Sequence, residues 1–252
     1  MIILQRKLSI PSSGILFTRS NLIEKLNHYS KSSLTVICAP AGYGKTSLVC
    51  NWLQYADHPV YWLSLDEQNN LPSSFWTYFY HCLRKIDNDL GDEAETILEN
   101  HCIDDYCRIS DLILASLEKL GRKWNRPHRA VIVLGDFQYI DNPLILTSFN
   151  RLLDYLPNWL QIVITTRKIP ALKLPNRCSK STAYLIQASE LVFEAEHIAD
   201  FLKMKLDLQL SKDQLQHLFM RTEGWAAAIQ LTGLALKAGI SFEECTNTQD
   251  SL

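Results

Sequence analysis

Five short apolar runs punctuate the chain: LTVIC (34–38), VYWLSL (60–65), AVIVL (130–134), QIVIT (161–165) and AYLIQ (183–187). Each is rich in β-branched or aromatic residues, and none alternates cleanly between apolar and polar positions. Uninterrupted apolar runs of this length fit strands covered on both faces, as in parallel sheets. Between them lie segments with helical spacing, at about 46–56, 73–86, 110–121 and 143–156. Strands alternating with helices predict an α/β fold with a doubly wound, mostly parallel five-stranded sheet.

Past residue 190 the strand pattern stops. EAEHIADFLKMKL, SKDQLQHLFM and GWAAAIQLTGLALKAG read as three short helices. Ser211 and Gln214 form a capping box for the second, the hydroxyl accepting an early backbone N–H while the glutamine reaches back. The expected division is an N-terminal segment (1–30), an α/β domain (31–189) and a small all-helical subdomain (190–252). Its last residues, EECTNTQDSL, read as a frayed end.

Composition narrows the function. The 252 residues are 47% hydrophobic and 21% charged, which suits a soluble globular protein. Lys plus Arg number 25 against 27 Asp plus Glu, so the chain has no basic excess for gripping a nucleic-acid backbone. The longest uncharged stretches, such as GWAAAIQLTGLAL (224–236), are too short to span a bilayer. The start, MIILQRKLSIPSSG, lacks the pattern of a signal peptide. Seven scattered cysteines without a C-x-x-C pair point to a reducing, cytoplasmic compartment.

The first apolar run leads into Ala39-Pro40-Ala41-Gly42-Tyr43-Gly44-Lys45-Thr46-Ser47, and a helical pattern begins at its end. With alanine in place of the first glycine, this matches the phosphate-binding P-loop, G-x-x-x-x-G-K-[ST], in the strand–loop–helix setting the motif needs. Gly42 and Gly44 permit backbone angles closed to other residues, so successive N–H groups can turn around phosphate oxygens. The helix start adds the positive end of its dipole. Residues 39–47 are therefore the candidate site for ATP or ADP, with Lys45 reaching the β- and γ-phosphates and the Thr46 hydroxyl ligating Mg²⁺.

A P-loop protein also needs a carboxylate at the end of a later strand. AVIVL runs into Gly135-Asp136, which supplies one acid where two are usual. Asp136 falls on the second position, and the first, which serves the metal, is glycine. QIVIT continues as TRKIP, which puts Thr165, Thr166 and Arg167 at the carboxyl end of the strand, placed to sense or stabilise charge on the γ-phosphate. Lys45, Asp136 and Arg167 are the candidate catalytic residues. Asp66 and Glu67 also follow a strand, but a pair of surface carboxylates in a turn explains them more simply.

Other features have plainer explanations. The aromatic run SSFWTYFYHCL (73–83) at helical spacing reads as core. His101, Cys102 and Cys107 lack the partner pair of a metal site. KWNRPHR (123–129) reads as a solvated basic loop. Trp225 reads as an anchor packing the helical subdomain against the sheet domain.

Several stretches, in order, resemble the amino-terminal ATPase module of MalT-like regulators, ATP-dependent members of the LuxR group within the STAND class of signalling NTPases. They are RKLSIP (6–11), TRSNLIEKL (18–26), APAGYGKTS (39–47), WLSLDEQNN (62–70), VIVLGDFQYI (131–140), VITTRKIP (163–170), LVFEAEHIADFL (191–202) and TEGWAAAIQL (222–231). The resemblance implies a module that binds ATP or ADP and whose nucleotide state controls self-association. Gly42, Gly44, Lys45 and Thr46 would then hold phosphates and Mg²⁺. Asp136 would be the second acid of the Walker B pair, Arg167 a sensor arginine, and Arg19 a residue near the nucleotide.

Gly135 departs from the family's acidic pair and implies slow or impaired hydrolysis, at most a slow ATPase. The family continues into a sensor and a DNA-reading helix-turn-helix, neither of which is expected in 252 residues. Either a module of a longer activator or a free-standing truncated partner of a full-length regulator fits that length. A P-loop kinase fits less well, because residues 87–109, with a single arginine at 108, are acidic and make a poor lid.

Overall fold

A computed structural model of the chain describes residues 3–12, 14, 16–55, 59–87, 96–98, 106–123 and 129–247. Strands β1 (Leu34–Cys38), β2 (Val60–Ser64), β3 (Ala130–Gly135), β4 (Leu160–Thr166) and β5 (Ala183–Gln187) form one sheet in the order β2-β3-β4-β1-β5. Every pairing is parallel, with Leu34 opposite both Ile162 and Ala183, Ala130 opposite Leu160 and Val60 opposite Val131. The expected five-stranded sheet is present, and all the apolar runs lie in it.

Side chains alternate between two cores, as a pleated strand requires. Leu34, Val36, Ile132, Leu134, Ile162 and Ile164 point to one face, where α3 (Pro72–Arg84), α4 (Tyr106–Lys123) and α5 (Pro143–Asp154) pack. Ile37, Val131, Val133 and Val163 point to the other, against α1 (Ser20–Tyr29) and α2 (Lys45–Gln54). The strands read as continuous apolar runs because both faces are covered. The aromatic run is core, as expected: Phe75, Trp76 and Phe79 are fully buried, and Phe149 of α5 packs edge-on against Phe75 and Phe79.

Helix starts follow local chemistry. Pro72 and Pro143 open α3 and α5, where the missing N–H costs nothing, and the Asn142 side chain accepts the Leu144 N–H at 2.9 Å. The short α6 (Leu174–Ser179) joins β4 to β5, and beyond β5 lie the short α7 (Ala188–Leu191), then α8 (Ala195–Leu206), α9 (Lys212–Thr222) and α10 (Ala226–Lys237). The Ser211–Gln214 capping box is present. Phe193, Ile198, Phe201, Leu202, Leu218 and Ile229 form a third apolar cluster, against which Phe17 packs.

Of the stretch expected to fray, the first part, Glu243–Asn247, lies in a further short helix, α11 (Phe242–Asn247), which Ser241 and Glu244 cap reciprocally, and residues 248–252 lie outside the described residues. His101, Cys102 and most of the basic loop 123–129 lie outside the described residues. Among the described residues, no cluster of His, Cys, Asp and Glu could hold a metal, and no helix is long and apolar enough to cross a membrane.

Candidate functional site

The loop after β1 carries the geometry its glycines foretell. Gly42 and Gly44 have φ of 79° and 75°, the left-handed region that favours glycine. Gly44 is the residue before α2, and its carbonyl accepts the Leu48 N–H at 2.8 Å to start the helix. The Ala39 N–H donates to the Thr166 carbonyl at 3.2 Å, so the loop departs from paired strand. The amino end of α2 therefore opens at the carboxyl edge of the sheet, where α/β folds place their ligands.

Lys45 is only 8% exposed and its chain folds back into the loop. Nζ donates to the carbonyls of Ala39 (2.7 Å) and Pro40 (2.8 Å). An ammonium has three donors, so one remains for an anion. Burial lowers the Lys45 pKa, as does the nearby charge of Arg167, while Asp136 and Cys38 pull it up. Asp136 and Arg167 thus both lie within electrostatic reach of Lys45. Thr46 and Ser47 are exposed in the first turn of α2.

Asp136 follows β3 with φ of 58°. Its N–H donates to Thr165 Oγ1 at 3.2 Å, and its carboxylate accepts from Gln138 Nε2 at 2.9 Å. The hydroxyl of Thr166 is committed to the Lys168 carbonyl at 2.8 Å, whereas Arg167 is exposed. A Cβ on Gly135 would meet Trp62 Cζ2 at 3.2 Å, and that indole donates to Ser64 at 2.9 Å. The indole crowds the place where the first acid of the pair would stand. Asp66 is no substitute: it caps the turn through the Gln68 N–H and pairs with Lys7 at 2.6 Å.

Beside the loop is a cavity of about 260 Å³, walled mainly by Leu16, Phe17, Leu48, Leu191, Phe193 and Phe201. Lys205 and Gln230 add polar ends, and Gly42, Tyr43 and Gly44 form the wall shared with the loop. Arg19 braces this cavity. Its guanidinium donates to the carbonyls of Leu191 (2.6 Å), Val192 (2.8 Å) and Glu190 (3.3 Å), and lies 4.9 Å from the Phe193 ring centre. Burial lowers the Arg19 pKa, against the attraction of Glu194. Sequence reading singled out Arg19 but missed the cavity wall, whose residues come from non-consecutive elements and follow no local pattern.

The helical layer touches the loop directly. Trp225 Nε1 donates to the Ala41 carbonyl at 3.1 Å and the Ala227 N–H to the Gly42 carbonyl at 3.0 Å. The expected packing anchor is 37% exposed, so Trp225 meets the loop chiefly through its indole N–H.

Parallel sheet, glycine loop, buried lysine and helix start together define a P-loop NTPase fold. A Walker-type ATPase of Pyrococcus abyssi superposes with a TM-score of 0.58 at 14% identity, over 91% of this chain and 70% of that one. No protein-family model matches the chain.

The sequence relatives bear out the resemblance read from the motifs. The chain is 29% identical over 218 residues to the HTH-type transcriptional regulator MalT of Yersinia enterocolitica. It is 28% identical over 219 residues to MalT of Cronobacter sakazakii, and 27% identical to MalT of Serratia proteamaculans. These matches take in 86–87% of this chain but only 23–24% of each regulator, so the chain spans about a quarter of their length.

Proposed function

We propose that this chain is an ATP- or ADP-binding switch module of a MalT-like transcription regulator, acting in the cytoplasm, with slow or impaired hydrolysis. The observation that carries the reading is Lys45, buried inside a loop whose two left-handed glycines lead into the start of α2. In this reading the amides of residues 42–47 surround the phosphates. The base enters the adjoining cavity, which is below the range of about 300–1,000 Å³ usual for a whole drug-sized ligand and suits a single flat ring system.

The donor set fits Mg²⁺ held together with the nucleotide. Mg²⁺ ordinarily takes one or two protein oxygens and completes its shell with phosphates and water. Thr46 would be the ligand, with Asp136 acting on the attacking water. Mg²⁺ would supply charge neutralisation on the phosphates. Glycine at 135 removes the usual second anchor, which weakens turnover more than binding.

The helices after residue 190 would form a small subdomain closing over the nucleotide. Self-association, or association with a full-length regulator, would be its output. Calorimetric titration of ADP and ATP, with and without Mg²⁺, tests the reading. Saturable binding that Lys45→Ala abolishes is expected. Absence of binding by the folded chain would end this proposal.

A further inference from the structure

We infer that Trp225 and Ala227 are positioning residues for the phosphate loop: they hold two of its carbonyls outward and thereby turn two of its amides inward. The inference rests on the nucleotide-binding reading above. Docking of α10 would then set the affinity for phosphate.

The argument begins with peptide planarity. In a trans peptide the C=O and N–H point in opposite directions, and none of the described bonds is cis. The Ala41 carbonyl accepts from the Trp225 indole, so the N–H of Gly42, in the same peptide plane, faces away from α10. The Gly42 carbonyl accepts from the Ala227 N–H, so the N–H of Tyr43 faces away as well. That is the side on which a phosphate cradled by the loop would sit. A free loop would have to fix these peptide planes when the ligand binds, and here the first turn of α10 fixes them beforehand.

The fit is close. A Cβ at Gly42 would lie 2.6 Å from both Ala227 Cβ and Trp225 Nε1. Position 42 therefore requires glycine for the approach of α10 as well as for its φ. The turn carrying Trp225 is itself held: the Trp225 N–H donates to the Thr222 carbonyl at 2.8 Å, and the Gly224 carbonyl accepts the Phe193 N–H at 2.9 Å. Any Cβ at Gly224 would come within 2.3 Å of the Phe193 carbonyl oxygen. Arg19 grips the segment just before Phe193, so α1, the cavity wall and the α9–α10 turn form one brace against the loop. By thermodynamic reciprocity, a phosphate that prefers the braced loop tightens the docking of α10 to the same degree.

The test compares ADP and adenosine binding by calorimetry in the full chain and in Trp225→Phe, which keeps an aromatic body and deletes the N–H. About a tenfold loss of ADP affinity is expected, the scale of one hydrogen bond. Adenosine affinity stays unchanged, because adenosine brings no phosphate to the loop. Unchanged ADP affinity, or equal loss for both ligands, overturns the inference while leaving nucleotide binding intact. A wild-type chain that binds no ADP sinks the nucleotide reading and this inference with it. Should the variant not fold, hydrogen exchange in the wild-type chain decides: ADP is expected to slow exchange at the Ala227 amide and the Trp225 indole, and unaltered rates refute the coupling.

Discussion

Two glycines of one loop share a backbone conformation but not an environment, which isolates the contribution of the helical layer. Gly42 and Gly44 have φ of 79° and 75°. Alanine at either pays for the left-handed region, about 1–2 kcal/mol. At Gly44 a Cβ meets nothing within 4 Å, so strain is the whole cost. At Gly42 it meets Ala227 Cβ and Trp225 Nε1 at 2.6 Å. Relief comes either from overpacking, about 1–3 kcal/mol, or from undocking the turn. Undocking forfeits two hydrogen bonds at about 0.5–1.5 kcal/mol each, which caps the penalty. Gly42→Ala should therefore be less stable than Gly44→Ala by about 1–3 kcal/mol in urea unfolding, at similar m values. Equal midpoints for the two variants would show that α10 does not press on the loop.

Three further outcomes follow from the site. Gly135→Asp brings its Cβ to 3.2 Å from Trp62, which should cost about 1–3 kcal/mol of stability; it should also raise Mg²⁺-dependent phosphate release, and an unchanged rate would show that the missing acid is not what limits turnover. Lys45 should couple binding to pH: burial and Arg167 hold its pKa below 10.5 in the free chain, and phosphate oxygens would raise it in the complex. Between those two values the complex holds more protons than the free chain, so affinity should fall as pH climbs through that alkaline window, with proton uptake seen in buffers of different ionisation enthalpy; proton release would contradict the placement of Lys45. Arg19→Lys should lose about 1–3 kcal/mol in urea unfolding, because an ammonium cannot span the carbonyls of Leu191 and Val192 as the guanidinium fork does; an unaltered midpoint would mean the brace is dispensable.

The strands were legible because a sheet covered on both faces writes itself as uninterrupted apolar runs, and Ile132, Val133 and their neighbours left no other reading. The helices α6 and α7 were not legible. Six residues, LPNRCS, carry no amphipathic period, and α6 is fixed instead by buried Arg177 donating to the Leu172 and Asn150 carbonyls. The helix at Phe242–Asn247 was passed over although Ser241 and Glu244 have capping-box spacing. The loop announced its glycines, since their role is local. The contact of Trp225 with Ala41 joins residues 184 positions apart through an indole and a carbonyl, and no composition or spacing encodes it. Asp66 looked available in sequence, but Lys7 and the Gln68 N–H claim its carboxylate.

Amide NMR of the loop tests the central claim most directly. Titration with ADP should shift the backbone N–H resonances of Gly42, Tyr43, Gly44, Lys45 and Thr46 together and downfield, as donors gaining charged acceptors. Shifts confined to other surfaces, with these five resonances unmoved at saturating nucleotide, would contradict the assignment of the loop as the phosphate-binding site.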